Sequence, residues 1–264
     1  MANPSFNWDA TTSRPLIRTL AVSMTTLRFA ILVIATSLAA SGVRAQPPGN
    51  ASSFQIGTAA ILVPTPQGFV ETSRRSKELW DKALAYRGGA ARIIGHFVTE
   101  KDLAAFEKGK EVTFKEYLLV QTPRSAESLI ATQAQFDKLR SGTVALQADL
   151  AEKIEPRLST ELERISKNVS TAKGEDIKFR LGEIIPVSVD RNDSRVLIHT
   201  VLAQVSTSQE KSKTNQNMIS TTAYCFVSGK VVVLIAYRHF LTPQDIQSSR
   251  TFVNSWANSV LSAN

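Results

Sequence analysis

The chain has 264 residues, a formal net charge of +8 and a hydrophobic fraction of 43%. That length is sufficient for one sizeable domain or two small ones. The single cysteine, Cys225, excludes an intramolecular disulfide, and its apolar surroundings in the sequence predict a small buried side chain.

The first recognisable element is an apolar segment that begins well inside the chain. Arg28 precedes twelve apolar residues (29–40), and the small residues that signal peptidase reads end at Ala45. A membrane span needs about 20 apolar residues. We therefore predict a signal peptide over residues 24–45, cleaved between Ala45 and Gln46, and a periplasmic protein. The alternative retains the segment as a single inner-membrane span.

The residues on either side of this segment lack the periodicity of a helix or a strand. Residues 1–23 carry Pro4 and Pro15, so we interpret them as an unstructured extension that precedes the true start at Met24. The alternative is a long n-region of the signal. Residues 46–53 are predicted to be a flexible lead-in to the folded domain.

The charge of the remaining chain is mildly basic. Removing residues 1–45 leaves 219 residues (264 minus 45) and takes away four arginines and one aspartate, which reduces the net charge from +8 to +5. Nucleic acid is scarce in the cell envelope, so we expect no nucleic-acid partner. The expected partner is an unknown envelope protein or an anionic envelope component.

Short elements of mixed type fill the first half of the predicted domain. A strand, a proline-bounded turn and a second strand (58–73) precede a helix that Ser76 caps. Two apolar runs of strand length (91–98 and 116–122) follow, with a short helix between them.

One group of basic residues surrounds these first two predicted helices. Acidic residues are interspersed with them, so a solvated surface of mixed charge is the favoured interpretation, and a basic surface for lipid head groups is the alternative. The basic residues are Arg74, Arg75, Lys77, Arg87, Arg92, Lys108, Lys110 and Lys115.

The longest helical region is predicted over residues 125–173. Its one clear break, at residues 141–143, indicates a helical hairpin. In the second arm an apolar stripe from Leu150 to Val169 keeps its phase across Pro156, which favours one kinked helix over two separate ones.

The last third of the chain predicts four consecutive antiparallel strands and a closing helix. A polar tip (207–217) separates the second strand from the third, and the apolar run Val231–Ala236 predicts a central strand that is covered on both faces. Thr242 and Pro243 mark the start of the C-terminal helix. The whole order predicts a single α+β domain over residues 54–264, with a central antiparallel sheet flanked by helices, a helical hairpin insertion and a C-terminal helix.

Two short motifs carry weak signals of chemistry. Ser208 and Lys211 have the S-x-x-K spacing of penicillin-recognising enzymes, which makes an envelope hydrolase the alternative function. That chemistry needs the serine at the start of a buried helix, whereas this motif falls in the predicted polar tip. Asp190, Asn192 and Ser194 have the spacing of a calcium loop without its glycine and glutamate, so a turn is the favoured interpretation.

The three histidines, His96, His199 and His239, each fall in an apolar strand. Three strand histidines that converge would make a metal site, but each one taken separately is typical of a half-buried structural side chain. We therefore expect no cofactor and no catalytic centre, and the metal site is kept as an alternative.

Two stretches resemble known families. The run YCFVSGKVVVLIAY (224–237) and the helix that carries Trp256 resemble the closing hairpin and helix of PsbP-like α+β domains, and ILVPTPQGFVE (61–71) resembles the first strand of proteobacterial exported proteins of unknown function. The resemblance implies a non-catalytic domain that binds partners or stabilises assemblies. It implies no active-site residue.

Overall fold

A computed structural model of the chain describes residues 51–86, 89–148, 155–174, 176–209 and 212–264. The predicted extension (1–23), the signal peptide (24–45) and most of the lead-in lie outside the described residues. The first strand begins at Ala51, three residues before the predicted start of the domain at position 54.

The first two strands form a separate hairpin. β1 (Ala51–Ile56) and β2 (Ala59–Pro64) pair antiparallel through a turn at Gly57, whose φ of +57° suits glycine. Along both strands alternate side chains face the core, with Phe54 and Ile56 buried on β1 and Ile61 and Val63 buried on β2.

The other seven strands form one antiparallel sheet in the order β3-β4-β5-β9-β8-β7-β6. The strands are β3 (Phe69–Glu71), β4 (Ala91–Thr99), β5 (Glu116–Pro123), β6 (Lys178–Asn192), β7 (Val196–Gln209), β8 (Ser212–Val227) and β9 (Lys230–His239). β9 lies at the centre and is buried from its first residue to Ala236, which confirms the prediction for that run.

Five helices surround the sheet in the described part of the chain. They are α1 (Lys77–Ala85), α2 (Glu100–Glu107), α3 (Gln133–Ala148), α4 (Glu155–Lys173) and α5 (Pro243–Ala263), with one 3₁₀ turn at Arg124–Ala126. Ser76 caps α1, and Thr242 forms a capping box with Asp245 at the start of α5. The α+β fold with a helical insertion and a C-terminal helix is confirmed.

The boundaries inside the helical insertion differ from those predicted. α3 continues through residues 141–143, because one glycine costs only about 1 kcal/mol and packing on the sheet overrides it. Pro156 is the second described residue of α4, and the residues just before Glu155 lie outside the described part, so the kink stays a prediction. The start of the predicted apolar stripe, at Leu150, lies outside the described residues.

The predicted polar tip is largely strand. β7 continues to Gln209 and β8 resumes at Ser212, and the two strands keep an unbroken register up to the Gln209–Ser212 pair. The residues are polar because one side of these strands faces solvent. We call the part of the sheet that extends past the end of β9 the arm; it comprises residues 178–182, 204–209 and 212–217.

Different elements pack against the two faces of the sheet. The apolar face packs against α5 and the β1–β2 hairpin, where Trp256 of α5 donates a hydrogen bond to the Pro64 carbonyl. The aromatic face packs against α1, α2 and α3, and α4 lies along β6 and also contacts α1. None of the helices in the described ranges is both long and apolar enough to cross a membrane.

Candidate functional site

The three predicted histidines lie on the aromatic face without meeting. His96 and His199 occupy one row across the sheet, separated by Leu119, Ile235 and Thr222 on the three strands between them. Four strand spacings put their backbones roughly 19 Å apart. His239 lies further along, near the end of β9. Within the described residues no group of three or more His, Cys, Asp or Glu side chains could hold a metal.

His96 is a buried structural side chain. Its Nδ1 lies 3.0 Å from the Thr72 hydroxyl, and burial lowers the pKa of the imidazole to about 4. The pair resembles a nucleophile beside its base, but Thr72 is completely buried, so no substrate reaches it. At neutral pH the pair is uncharged and holds β4 to the segment after β3.

The hydrogen bonding of the His199 ring is incomplete. Its Nδ1 contacts the side-chain amide of Gln147 on α3, and its ring lies parallel to Tyr224 with centroids 5.9 Å apart. Its Nε2 is shut off from solvent and has no hydrogen-bond partner within the part of the chain that the structure describes. Burial lowers the pKa of His199 to about 4, although the Asp190 carboxylate opposes that shift.

Ser208 lies in the arm, inside a strand. It pairs with Lys178 of β6 and Lys213 of β8 and is therefore far from any helix start. Lys211 lies outside the described residues, so the hydrolase alternative stays a prediction that this geometry does not favour.

The residues with calcium-loop spacing already have protein partners. The Asp190 carboxylate accepts a hydrogen bond from Thr200 at 2.6 Å and pairs with Arg250 at 2.8 Å. The Asn192 side chain accepts a hydrogen bond from Arg140. These contacts join β6 to α5 on one face and to α3 on the other, which is a structural role.

Cys225 is fully buried on the apolar face, as predicted. Burial raises the pKa of its thiol to about 12, so the reactive thiolate is absent at neutral pH.

The aromatic face brings together rings that the sequence did not connect. Tyr117 stacks on Tyr237 at 4.9 Å, and His96 meets Tyr117 edge-on at 6.1 Å. Burial raises the pKa of Tyr117, Tyr224 and Tyr237, so each stays neutral. These residues come from strands that are distant in sequence, and strand order and register are the signals that would have revealed the row.

Three of the eight residues of the predicted basic group form ion pairs on the surface. Arg75 lies 3.8 Å from Glu107, Arg92 lies 2.7 Å from Glu127, and Lys77 pairs with Asp81. Arg87 lies outside the described residues. The pairing favours the solvated surface of mixed charge over a site for lipid head groups.

The arm has one covered and one uncovered side. α4 packs along β6 on the covered side, where the Ser170 hydroxyl bonds both the N–H and the carbonyl of Ile177. The other side continues the apolar face; Ser249 of α5 bonds β8 at Thr221, four residues from the start of the arm at Asn217. We call the uncovered side the arm face; it carries Lys178, Arg180, Gln204, Ser206, Ser208, Asn215 and Asn217.

The arm face is polar and accessible. Arg180, Gln204, Asn215 and Asn217 are exposed, and the Ser206 hydroxyl donates a hydrogen bond to Asn215 across the strands at 2.8 Å. Ile185, in the next row toward the body, is 45% exposed. An ordered sheet surface with a partly exposed apolar side chain at its margin has the features of a protein interaction surface.

The fold and this surface define an α+β domain built on a seven-stranded antiparallel sheet with a protruding arm. No family model matches the chain, and no curated protein matches it. Among solved structures, the Ran-binding protein Mog1p of Saccharomyces cerevisiae is 13% identical, covers 81% of this chain and 90% of its own, and has a TM-score of 0.27. A mutant of Mog1 matches with 12% identity and the same coverage and TM-score.

These comparisons correct the predicted resemblance. They found neither a PsbP-like domain nor a proteobacterial exported protein, so that prediction was wrong. The stretches that suggested it are short apolar strands, which many antiparallel sheets share. The TM-score to Mog1p is too low for that likeness to say what this chain binds.

Proposed function

We propose that this chain is an exported, non-catalytic binding domain that holds a protein partner in the periplasm through its arm face. The observation that carries the proposal is the arm itself, an ordered part of the sheet with helix on one side and exposed side chains on the other. A sheet face left uncovered next to a well-covered one is typical of an interaction site.

The side chains singled out for chemistry favour binding over catalysis. His96 and Cys225 are buried, and Asp190 is held by Thr200 and Arg250. A general base or nucleophile has to reach its substrate, and these groups do not.

The edges of the sheet favour docking through side chains over the addition of a strand. β6 forms one edge, and its pairing with β7 shifts register at three places, one of them just after Pro186. The other edge strand, β3, has three residues. Irregular and short edges resist pairing with another chain, so the partner is expected to dock on the arm face.

The proposed compartment rests on the apolar leader. A reporter enzyme that folds only outside the cytoplasm, fused behind Asn264, should be active, and the mature protein should begin at Gln46 in mass spectrometry. Activity of a cytoplasmic reporter alone would contradict export. Retention of residues 29–45 in carbonate-washed membranes would identify the anchored form instead.

The arm face is tested by site-specific crosslinking in the native host. A photo-crosslinking amino acid at Gln204 or Asn217 should give an adduct with one envelope protein, and the same group at the exposed Lys108 should not. Arg180→Glu should abolish the Gln204 adduct while changing the free energy of unfolding by less than about 0.5 kcal/mol.

Two outcomes of this experiment would contradict the proposal. Equal adducts at Gln204 and Lys108 would indicate non-specific contact. No adduct at either arm position, together with salt-sensitive binding to anionic vesicles that Arg180→Glu weakens, would assign the arm face to an anionic component in place of a protein.

A further inference from the structure

The C-terminal half of α3 is attached to the sheet by a polar contact that contains an incompletely bonded histidine. Gln147, in the last turn of α3, contacts His199 Nδ1, while His199 Nε2 is buried and has no hydrogen-bond partner among the described residues. We propose that this pair is an acid-sensitive latch: it holds the end of α3 on the sheet at neutral pH and releases it when His199 takes up a proton.

The geometry accounts for the direction of the response. A neutral imidazole has one N–H donor and one acceptor nitrogen, whereas the protonated ring has two donors. The Gln147 amide is able to satisfy the Nδ1 side with its nitrogen or, when turned over, with its oxygen. The Nε2 side has no acceptor in either state. A charged ring is therefore poorly solvated in the closed latch, and water supplies the missing acceptor once α3 lifts away.

The ionisable groups around His199 do not remove this penalty. In the described part of the chain they are Tyr224 on β8, which burial keeps neutral, and Asp190 on β6, which points to the opposite face of the sheet, where Thr200 donates to it and Arg250 pairs with it. α3 itself presents the uncharged Gln147. The pKa of about 4 in the folded state, against 6.5 for a free histidine, agrees with that environment.

The release is expected to be local because the first half of α3 has independent attachments. Phe136 stacks on Phe226 at 5.2 Å, and Arg140 donates to Asn192. Gly142 follows, and a Cβ added at this position would meet no neighbouring atom within 4 Å. After proline, glycine is the residue that least favours a helix interior. The helix therefore has a natural hinge between its fixed half and Gln147, at the place where the sequence predicts a break.

The test compares amide hydrogen exchange in α3 at two pH values, corrected for the intrinsic exchange rate. From about pH 7.5 to about pH 5, the two pKa values give an increase of about 30-fold in the opening equilibrium for residues 143–148. Amides of β9 should keep protection far above that of α3. His199→Phe, which keeps a ring beside Tyr224, should abolish the response, and His239→Gln should retain it.

A second variant tests the flexibility of α3 at Gly142 separately from the protonation of His199. Gly142→Ala should increase protection of residues 143–148 about fivefold at both pH values and leave the pH response unchanged, since a Cβ at that position meets no neighbour. If His199→Phe does not fold, the His199 ring proton is titrated by NMR in the wild type.

Three results would overturn the latch. They are exchange in residues 143–148 that does not respond to pH, a response that survives in His199→Phe, and an NMR pKa of His199 near its free value. None of these results depends on the arm face, so the latch stands or fails independently of the proposed function.

Discussion

The two faces of the sheet are formed by alternate residues of the same strands, yet they differ in the side chains that pack on them. On the apolar face Phe97 and Trp256 meet edge to face at 5.9 Å among aliphatic side chains. On the aromatic face Tyr117, Tyr237 and His96 occupy the corresponding positions. We therefore expect the apolar face to supply most of the stability that does not change with pH. The aromatic face is expected to make the free energy of unfolding depend on protonation.

The helices that pack on the two faces account for this difference. The apolar face lies under one helix of 21 residues, α5, whose start is fixed by a capping box. The aromatic face lies under the shorter helices α1, α2 and α3. Polar atoms beneath a short helix are able to reach water when that helix moves, which makes histidine and tyrosine tolerable there.

The largest expected effect is on the apolar face. Trp256→Ala removes a side chain that is 3% exposed and deletes its hydrogen bond to Pro64, and it should lower the free energy of unfolding by about 3–5 kcal/mol. Urea denaturation measures the change. Trp256→Phe keeps an aromatic ring and should lose less than half as much; a loss below about 1 kcal/mol in the alanine variant would contradict the assignment of this face as the main core.

The next effect belongs to the aromatic face and appears in acid. The pKa values of His96 and His199 are lowered to about 4, below the free value of 6.5, so the unfolded chain takes up protons first as the pH falls. Their stabilising contribution is complete above pH 6.5 and decreases between pH 6.5 and about 4. At about pH 5 each histidine should cost about 2 kcal/mol.

His96→Gln is the matched control for that acid response. It removes one titrating group and should halve the loss of stability between pH 7 and pH 5 in urea denaturation. A wild-type stability that is constant over this interval would show that both rings are freely hydrated, contrary to their burial.

The smallest effect concerns the short polar chain that crosses the apolar face. The Thr221 hydroxyl lies 3.2 Å from Thr200 and 2.8 Å from Ser249 of α5, and all three side chains are buried. Thr221→Val should lower the free energy of unfolding by about 1 kcal/mol at every pH between 5 and 8. A pH-dependent loss would mean that the two faces are not separated as described.

Local patterns predicted elements well where one residue decides the outcome. Ser76 and Thr242 mark helix starts because a hydroxyl accepts a hydrogen bond from the first free N–H groups. The run at Val231 predicts the central strand because its two faces are equally apolar. The same type of evidence failed at residues 141–143, since one glycine in a helix interior costs only about 1 kcal/mol and packing on the sheet overrides it.

The arrangement of the candidate sites depended on information that the sequence does not carry locally. His96 and His199 share a row only because β5, β9 and β8 lie between their strands in register. The pattern predicts a polar tip at residues 207–217 of the arm because strand residues that face water are polar there, as loop residues are. Partner side chains that are distant along the chain decided both cases.

The contact between the first hairpin and the last helix has a consequence for biogenesis. Trp256 and Pro64 are separated by 192 positions, and β1 and β2 pair only with each other among the described strands, so part of the packing of this hairpin forms only when α5 is present. A nascent chain that lacks its final segment cannot complete this part of the core. In the proposed export such a delay would favour passage through a translocation channel, because a polypeptide that has yet to acquire tertiary structure can be threaded through it.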